Sequence, residues 1–509
     1  MTFPAPVTFA GSRWLFLRLL GVVYFIAFVS LAVQITGLVG EHGILPVGEF
    51  LGQVHGRFGA SAYYNWPTLV WLSPTDAWLS ALCWLGAVTS LLLIAGIAPI
   101  ATAALAWLLY LSLTVAGQLF LEFQWDSLLL ETGLLAVLYA PSCWREHVGD
   151  GVEPPRIVRW TIWLLAFKLT FLSGITKILS GDPTWANWTA LSYHYETQPI
   201  PAWTSWYMYQ LPAWVHYWAT GGSLLIELIV PWLIFLPPRF PRTRLTACAL
   251  MILLQVGIGS TGNYGFFNLL TIVLYLSLLD DRTLGRLLPR RAGDEQEIER
   301  RPDGRSIWQL GVNVVAVGIA VLSVMTVFRE MDRTRQVRGP FDRGWPGAIL
   351  AAVSPLNSVN GYGLFRVMTT ARPEIVIEVS NDGTTWKEQE FKWKAGNVMR
   401  RPRFVAPHMP RLDWQMWFAA LDPFSAQEWL LTLAERIMTD ESAVTRLLSP
   451  SPLADRPQYV RLAYYRYHFT SFSERAHTGA WWRREFVAYL TEPIRPGGSN
   501  ADRSRQGTP

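Results

Sequence analysis

Hydrophobic residues are concentrated in the first two thirds of this chain, where polar loops separate nine apolar segments. The segments are 14–38, 77–97, 100–121, 127–140, 157–178, 214–236, 245–260, 265–280 and 307–328. A straight helix needs about 20 residues to cross a bilayer, so the shorter segments at 127–140, 245–260 and 265–280 are expected to be re-entrant or to extend by a turn. The pattern predicts a polytopic α-helical membrane bundle over residues 1–328, with about nine spans.

From residue 329 the pattern of apolar and polar residues becomes that of a domain with one solvent-exposed face. The stretch 372–394 reads RPEIVIEVSNDGTTWKEQEFKWK, in which apolar and polar residues alternate on both sides of the turn signal NDG at 381–383. Alternation around such a turn predicts an antiparallel hairpin, with Phe391 and Trp393 in its returning strand.

The rest of this region continues the mixed pattern. Helices are predicted at 412–421, 426–438 and 441–448, and an aromatic strand is predicted at 459–469. The polar, Gly-rich end, 494–509, is expected to be disordered. The fold class expected is therefore a helical membrane bundle followed by an exported α+β domain with an antiparallel sheet at 329–493.

Composition agrees with a membrane protein. Hydrophobic residues make up 51% and charged residues 16% of the chain, whereas soluble domains have about 25% charged residues. The 26 tryptophans suit interfacial belts. The net charge of +5 comes from arginines clustered in particular loops, which indicates membrane orientation and not nucleic-acid binding.

Basic residues of the bundle occur in alternate loops. They are Arg13, Arg18, Arg145, Arg156, Arg239, Arg242, Arg244 and seven arginines within 281–306. The opposite loops, 39–76 and 179–213, contain only Arg57. The positive-inside rule then predicts a cytoplasmic N-terminus and an exported region after about residue 329. That region would lie outside the inner membrane of a bacterium or in the endoplasmic reticulum lumen of a eukaryote.

The three cysteines do not suggest redox or zinc chemistry. Cys83 and Cys248 fall in apolar segments and Cys143 in a loop, and no CxxC occurs. No phosphate loop, serine nucleophile elbow or dinucleotide fingerprint is present. Neither a metal nor a cofactor is expected.

Five charged residues lie within or at the edges of apolar segments. They are Asp126, Glu131, Lys168, Lys177 and Glu227. A charge at bilayer depth is costly, so each is expected to have a partner or a function. Asp126 and Glu131 are five residues apart on a helix and so do not form a stacked pair; each is expected to pair with a lysine or amide of a neighbouring helix. Glu131 has Lys168 and Lys177 as alternative partners, and Glu227 is either half of an ion pair or an active group.

Lys177 has the strongest functional pattern among these residues. It shares a small, polar helical stripe with Thr170, Ser173 and Gly174, and Lys168 lies on the opposite face. Either Lys177 faces an internal cavity, where desolvation lets it act as a base, or it reaches the lipid headgroups.

The external loop 192–201, SYHYETQPIP, offers two further candidate catalytic residues, His194 and Glu196. Tryptophans surround the loop in the sequence. One interpretation is an aromatic vestibule in which these side chains move protons or bind a headgroup. The other is an interfacial Trp and Tyr belt without chemistry.

The C-terminal region contains candidate contacts for a partner protein. They are Arg411, Asp413, Trp414, Trp417, Trp481 and Trp482. The alternative is that these residues form buried ion pairs and an aromatic core that join helix to sheet.

The motifs of the chain, in order, resemble those of the lipase maturation factor family. They are FQWDSLLLETG at 123–133, KLTFLSGITKILSGDPTWANWTALSYHYETQPIP at 168–201, LIELIVP at 225–231, GNYGFFNLLTI at 262–272, RLDWQMWFAAL at 411–421, RYHF at 466–469 and WWRR at 481–484. The resemblance implies a membrane protein that secreted lipases need to reach an active, assembled state. The compact chain and the short, basic loop 281–306 favour a bacterial member.

A weaker resemblance concerns the membrane part only. GEHGILPVGEF at 40–50, and the order Gly174, Lys177, Asp182, Trp185, are similar to the vitamin K-dependent carboxylase family and its bacterial relatives. The resemblance implies that Lys177 acts as a base toward a quinol.

Two functions therefore follow from the sequence. The first is a non-enzymatic maturation factor, whose partners are the lipid bilayer and an exported client, possibly a lipase by resemblance. The alternative is an integral-membrane enzyme acting on a quinol, lipid or exported protein near Lys177. A transporter is disfavoured, because no repeat relates the two halves.

Overall fold

The computed structural model describes residues 7–147, 153–236, 241–287 and 307–495. Its α-helices, in chain order, are α1 Ala10–Ala32, α2 Ile35–Val39, α3 Val47–Phe58, α4 Ala62–Asn65, α5 Asp76–Ala95, α6 Pro99–Ala116, α7 Gln124–Tyr139, α8 Arg156–Leu179, α9 Pro183–Ala186, α10 Ala190–Thr197, α11 Trp203–Tyr209, α12 Ala213–Leu228, α13 Pro241–Ser260, α14 Phe267–Leu276, α15 Asp281–Leu287, α16 Ile307–Thr334, α17 Gly344–Val353, α18 Arg411–Leu421, α19 Gln427–Met438, α20 Ser442–Thr445 and α21 Phe472–Thr478. The strands are β1 Arg372–Ser380, β2 Lys387–Gln389, β3 Tyr459–Phe469 and β4 Trp482–Tyr489.

The predicted fold class is confirmed. Seven helical stretches of the described chain are long and apolar enough to span a membrane: Ala10–Ala32, Asp76–Ala95, Pro99–Ala116, Arg156–Leu179, Ala213–Phe235, Arg242–Ser260 and Ile307–Thr334. The other two predicted segments, 127–140 and 265–280, form the shorter helices α7 and α14. Seven helices are long enough to span a membrane, so the predicted number of nine spans is approximate.

Charged contacts tie together one end of the bundle, which we call the far end. The Asp281 carboxylate accepts hydrogen bonds of 3.0, 2.9 and 3.2 Å from three backbone N–H groups at the start of α1. Those N–H groups have no partner within the helix, and the positive end of the helix dipole favours the carboxylate. Arg13 and Arg18 both contact buried Glu146, in the loop after α7.

The C-terminal domain packs on the opposite end, which we call the tail end. The Gln34 side chain, just after α1, donates to the Met409 carbonyl and accepts from the Arg411 N–H, both at 2.9 Å. The side-chain carbonyl of Asn263, between α13 and α14, accepts a hydrogen bond of 2.8 Å from the Val405 N–H. Buried hydrophobic residues of the bundle and the C-terminal domain belong to one continuous cluster.

These contacts show that the two short helices also run between the ends. Helix α7 begins at the tail end, where Asp126 meets Arg411, and is followed by Glu146 at the far end. Helix α14 begins after Asn263 at the tail end and is followed by Asp281 at the far end. Both short helices therefore connect the tail end to the far end.

The C-terminal sheet is antiparallel, with strand order β2-β1-β3-β4. The predicted hairpin and the strand at 459–469 are confirmed. The buried face of β1 carries Ile375, Ile377 and Val379, each 0% exposed. Helices α18 and α19 begin and end within a residue of the predicted bounds.

Three details of this domain differ from the prediction. Strand β2 ends at Gln389, so Phe391 and Trp393 lie outside it: Phe391 forms an isolated bridge to Leu448, and the N–H groups of Trp393 and Lys394 donate to the Asp413 carboxylate. Helix α20 covers only Ser442–Thr445. Strand β4 was not predicted. Most of the predicted disordered end, 496–509, and most of the basic loop, 288–306, lie outside the described residues.

The chain after α16 turns back into the bundle. Helix α17 leads to Ser358, whose hydroxyl accepts 3.0 Å from the indole N–H of Trp107, near the middle of α6. The Asn360 N–H and the Tyr362 hydroxyl then donate to Glu131, near the middle of α7, at 3.1 and 2.7 Å. Non-helical backbone at membrane depth needs such protein partners. The segment 344–363 therefore packs with the bundle. The domain boundary at residue 329 remains a prediction.

If α17 lies within the membrane, lipid should cover Ile349, which is 42% exposed in the protein alone. We expect Ile349→Cys, in a Cys143→Ser background, to resist a membrane-impermeant maleimide in open membrane fragments. Thr384→Cys, at the exposed hairpin turn, should react readily. Equal labelling at both positions would place α17 in water, and detergent should restore labelling of Ile349→Cys.

Candidate functional site

The five charged residues singled out in the apolar segments all have ion-pair partners. Lys168 pairs with Glu131, and Lys177 pairs with Glu227. Asp126 pairs with Arg411 from the C-terminal domain. The expectation of partners for these charges is met, but the partner of Asp126 is not a lysine or amide of a neighbouring helix.

The pair between Asp126 and Arg411 connects the bundle to the C-terminal domain. The two guanidinium nitrogens lie 2.5 and 2.7 Å from the two carboxylate oxygens. Tyr110 donates to the same carboxylate at 2.5 Å, and Arg411 also donates to the Phe120 carbonyl at 3.0 Å. Asp126 is 0% and Arg411 1% exposed. A bidentate pair of this kind is the geometry for which arginine is suited.

Glu131 organises a second network, deeper in the bundle. Its carboxylate lies 2.5 Å from the Lys168 ammonium, which also donates to the Ser323 hydroxyl of α16 at 3.3 Å. The hydroxyl of Tyr362, from the returning segment, donates to the other carboxylate oxygen. Of the two partners considered for Glu131, the structure selects Lys168. Residues of α7, α8, α16 and the returning segment therefore meet at one buried carboxylate.

Lys177 and Glu227 form the third pair, beside a cavity. The ammonium donates to both carboxylate oxygens at 2.7 and 2.6 Å and lies 4.6 Å from the centre of the Trp185 ring. The cavity has a volume of about 70 Å³. It is lined by Leu169, Thr170, Ser173, Lys177, Glu227, Leu254, Gln255, Ile258, Tyr264, Phe267, Tyr275, Leu364 and Phe365. Of the predicted stripe, Thr170, Ser173 and Lys177 line this cavity, whereas Gly174 is not among the lining residues and lies close to Glu227 and Leu228 of α12.

The size of the cavity limits what it can hold. Sites for drug-sized ligands are about 300–1,000 Å³, and a water molecule takes about 30 Å³ of liquid. A volume of about 70 Å³ suits a few waters or a very small molecule, and not a quinol or lipid. Lys177 Nζ also donates to both carboxylate oxygens of Glu227, so a role as a general base would require this pair to separate.

His194 and Tyr264 extend the polar groups from the cavity toward the tail end. The Tyr264 hydroxyl donates to the Gln198 side-chain carbonyl at 2.7 Å, and the His194 Nε2 lies 2.9 Å from the same hydroxyl. Since Tyr264 uses its proton on Gln198, Nε2–H of His194 is assigned as the donor. Burial, and secondarily the charge of Lys177, lowers the pKa of His194 to about 4. His194 is therefore neutral at physiological pH.

Glu196 is a structural contact for the C-terminal domain. Its carboxylate accepts 2.6 Å from the Phe469 N–H and lies 3.5 Å from the His468 Nδ1. Burial raises its pKa. Arg372 donates to the carbonyls of Glu196 and Gln198 at 2.7 and 2.5 Å. The loop predicted as a vestibule is thus covered by β1 and β3.

The six candidate client contacts are buried. Their exposed fractions are 1% for Arg411, 2% for Asp413, 3% for Trp414, 6% for Trp417, 6% for Trp481 and 3% for Trp482. Asp413 accepts two backbone N–H groups, and burial raises its pKa to about 6. Trp417 donates to the Thr197 carbonyl at 2.8 Å. Their role in client binding remains a prediction, and in this structure their surfaces are used within the chain.

Within the described residues no group of three or more His, Cys, Asp and Glu side chains is arranged to hold a metal ion. The polar groups instead form ion pairs and hydrogen bonds across helices and between domains. These features define a multi-pass membrane protein with a polar, internally neutralised interior and an α+β domain fixed to one end.

Comparison with known proteins identifies the family. The model of the lipase maturation factor transmembrane domain matches residues 11–286, and that of the lipase maturation factor C-terminal domain matches residues 358–491. The chain therefore belongs to the lipase maturation factor family, as its motifs predicted. Similar proteins include lipase maturation factor 2 of Gallus gallus, 36% identical over 96% of this chain and 82% of that protein.

Two further relatives are similar over nearly the whole chain. Lipase maturation factor 2 of Homo sapiens is 36% identical, over 94% of this chain and 81% of that protein. Lipase maturation factor 1 of Bos taurus is 34% identical, over 95% of this chain and 90% of that protein. No solved structure matches the chain significantly.

Removing one member of the Asp126–Arg411 pair should destabilise the protein strongly. Arg411→Met leaves a buried carboxylate without its partner, and such losses cost about 3–5 kcal/mol. We expect a large fall in thermal midpoint and faster proteolytic release of the C-terminal domain. The double variant Asp126→Leu/Arg411→Met should be more stable than either single variant. Wild-type stability in both single variants would contradict a structural role for the pair.

Gly174 should be required for the approach of α8 to α12. A Cβ at this position would lie 2.8 Å from the Glu227 Cβ and 3.0 Å from Leu228, whereas a Cβ at Gly222 of α12 would meet nothing within 4 Å. We expect Gly174→Ala to cost about 1–3 kcal/mol by overpacking. The matched change Gly222→Ala should be neutral or stabilising by up to about 1 kcal/mol. Thermal midpoints in detergent would test this, and equal effects would contradict it.

His194 should make the protein sensitive to acid. Its folded pKa of about 4 lies below its ordinary value of 6.5, so its contribution to stability is present above pH 6.5 and is lost as pH falls toward 4. We expect the thermal midpoint of His194→Gln to fall less than that of the wild type between pH 7 and pH 4.5. His477→Gln, at an exposed position, serves as the control and should keep the wild-type pH dependence.

Proposed function

We propose that this protein is a membrane-bound maturation factor for lipases. Its named relatives, lipase maturation factors 1 and 2, match 93–96% of the chain, through both the bundle and the C-terminal domain. The observation that carries the proposal is this similarity over both domains, combined with their fixed attachment through Asp126 and Arg411. A maturation factor needs a stable surface held at the membrane, and the buried pair supplies that fixed geometry.

The C-terminal domain, in this proposal, lies on the exported side and binds lipase-like hydrolases during folding or assembly. The distribution of arginines supports this orientation, because Arg13, Arg18, Arg159 and Arg244 gather at the far end. In a bacterium the protein would lie in the inner membrane, and in a eukaryote in the endoplasmic reticulum membrane.

The edge of the sheet is the surface that we assign to the client. Strand β4 is an edge strand in the described part of the chain. Three of its side chains, Phe486, Val487 and Tyr489, are 50%, 49% and 51% exposed. Edge strands with unpaired backbone groups commonly accept an extended segment of another chain. A partly folded lipase offers such segments before its own sheets are complete.

The test compares secreted lipase made with and without an intact edge. We expect Phe486→Asp/Val487→Asp to reduce active lipase per secreted molecule, with a roughly tenfold loss of client affinity. Phe424→Asp, at a position 81% exposed on the α18–α19 turn, is the matched control and should behave as the wild type. If removal of residues 366–495 leaves lipase maturation unchanged, the function does not reside in this domain.

An enzymatic function at Lys177, acting on an exported protein, is the second candidate, because the cavity beside Lys177 and Glu227 has room for a small group though not for a quinol or lipid. Lys177→Met, combined with Glu227→Leu, would keep the site uncharged and would remove any base. Full lipase maturation by this double variant would eliminate the enzyme. Loss of maturation, together with a normal thermal midpoint and a missing covalent modification on the client, would support it.

A further inference from the structure

A cluster of arginines and aromatic rings at the tail end is not used by the client surface proposed above. The guanidinium carbon of Arg475, in α21, lies 3.8 Å from the centre of the Trp481 ring and 5.1 Å from that of Trp206. Arg401 lies 4.6 Å from the Trp203 ring and 5.7 Å from the Trp481 ring. The guanidinium groups of Arg401 and Arg475 therefore both lie near the indole of Trp481 and close to each other.

Neither guanidinium has an anionic partner within the described part of the chain. The ion pairs of this region use other groups: Arg400 pairs with Glu390, and Arg483 lies 3.9 Å from Glu474. The Glu474 carboxylate is itself bonded to the Ser471 N–H at 2.6 Å. Stacking on aromatic faces holds the two arginines in place and leaves their N–H groups available. This arrangement suits an anion with several oxygens, such as a phosphate.

The position of the cluster points to the membrane surface. The Thr204 hydroxyl, next to Trp203, donates 2.6 Å to the carbonyl of Ser260, the last residue of the candidate span α13. The Arg403 carbonyl accepts 2.8 Å from Asn263, three residues beyond that helix. Loop 401–403 and Trp203 are therefore held beside the end of the candidate span α13.

Other exposed aromatic residues lie beside the cluster or at the start of another candidate span, Ala213–Phe235. Trp214 and Trp218 in the first turns of α12 are 67% and 63% exposed, and Tyr207 and Phe472 beside the arginines are 42% and 58% exposed. Tryptophan and tyrosine favour the headgroup region of bilayers. A peptide client would meet this cluster only at the membrane, whereas lipid headgroups are always present there.

We infer that Arg401 and Arg475, stacked on Trp203 and Trp481, form a binding site for the phosphate group of an anionic phospholipid in the leaflet next to the C-terminal domain. The bound headgroup neutralises the two arginines, which stack on Trp203 beside the end of the bundle and on Trp481 of the C-terminal domain. Because these arginines lie where the two parts meet, the bound headgroup should stabilise the attachment of the domain to the bundle. Unlike the client proposal, this inference depends only on the bilayer.

The test uses the purified full-length protein in detergent. We would titrate it with dihexanoyl phosphatidylglycerol and with dihexanoyl phosphatidylcholine and follow the thermal midpoint. Phosphatidylglycerol should raise the midpoint of the wild type more than phosphatidylcholine does. The variant Arg401→Gln/Arg475→Gln should bind phosphatidylglycerol more than about tenfold more weakly. The matched variant Arg456→Gln/Arg466→Gln, at two exposed arginines elsewhere in the domain, should respond as the wild type.

Each outcome decides the proposal. Equal responses of the wild type and both variants, or equal effects of the two lipids, would overturn it. Inorganic phosphate that reproduces the full shift at the same concentration would show a free-anion site and would also overturn the lipid assignment. Selective stabilisation by a soluble acidic peptide, without an effect of phosphatidylglycerol, would assign the cluster to a protein partner. Enrichment of phosphatidylglycerol among lipids that copurify with the wild type, lost only in Arg401→Gln/Arg475→Gln, would support it independently.

Discussion

The cost of placing charge in a medium of low dielectric constant is the constraint on which this structure depends. Asp126 and Glu131 lie fully buried on a helix of only 16 residues. Neither carboxylate can stay ionised there without compensation, because the desolvation cost of one ion is several kcal/mol. Their partners come from outside α7: Arg411 belongs to the C-terminal domain and Lys168 to α8. The requirement to neutralise two carboxylates therefore helps determine how the two domains and the returning segment assemble.

This constraint explains why the bundle and the C-terminal domain form one hydrophobic cluster and not two linked domains. Arg411 is fully enclosed only when α18 sits on the tail end of the bundle, and its carboxylate partner is satisfied only in the same arrangement. Glu131 likewise requires the returning segment. Tyr362 and Asn360 can donate to its carboxylate only when residues 344–363 pack against the helices. Separation of the domains would expose apolar surface and at the same time leave buried charges unpaired.

Hydrophobic periodicity was enough to predict most elements of this fold, and the failures have physical causes. The nine apolar segments, the hairpin at β1 and the strand β3 have patterns that depend on local sequence alone. Strand β4 was missed because its edge position leaves most of its side chains exposed, so WRREFVAY lacks a clear buried face. Helix α17 is short and contains Gly344, Pro346 and Gly347, so its sequence resembles a loop.

The candidate site shows a second limit of sequence reasoning, because pairings across space leave no local signal. The charged residues Asp126, Glu131 and Lys168 are easily recognised in the sequence. The partner of Asp126 is Arg411, which lies 285 positions later in the chain. The structure also changes the meaning of the intramembrane charges. Lys168 and Lys177 each contact a carboxylate, and the cavity beside Lys177 and Glu227 has a volume of only about 70 Å³. Loss of either member of such a pair would leave a buried charge without a partner, and a cavity of this size leaves little room for a substrate. The surfaces to which we assign the client and the phospholipid lie instead on the outside of the tail end, where β4 is an edge strand and Arg401 and Arg475 have no anionic partner among the described residues.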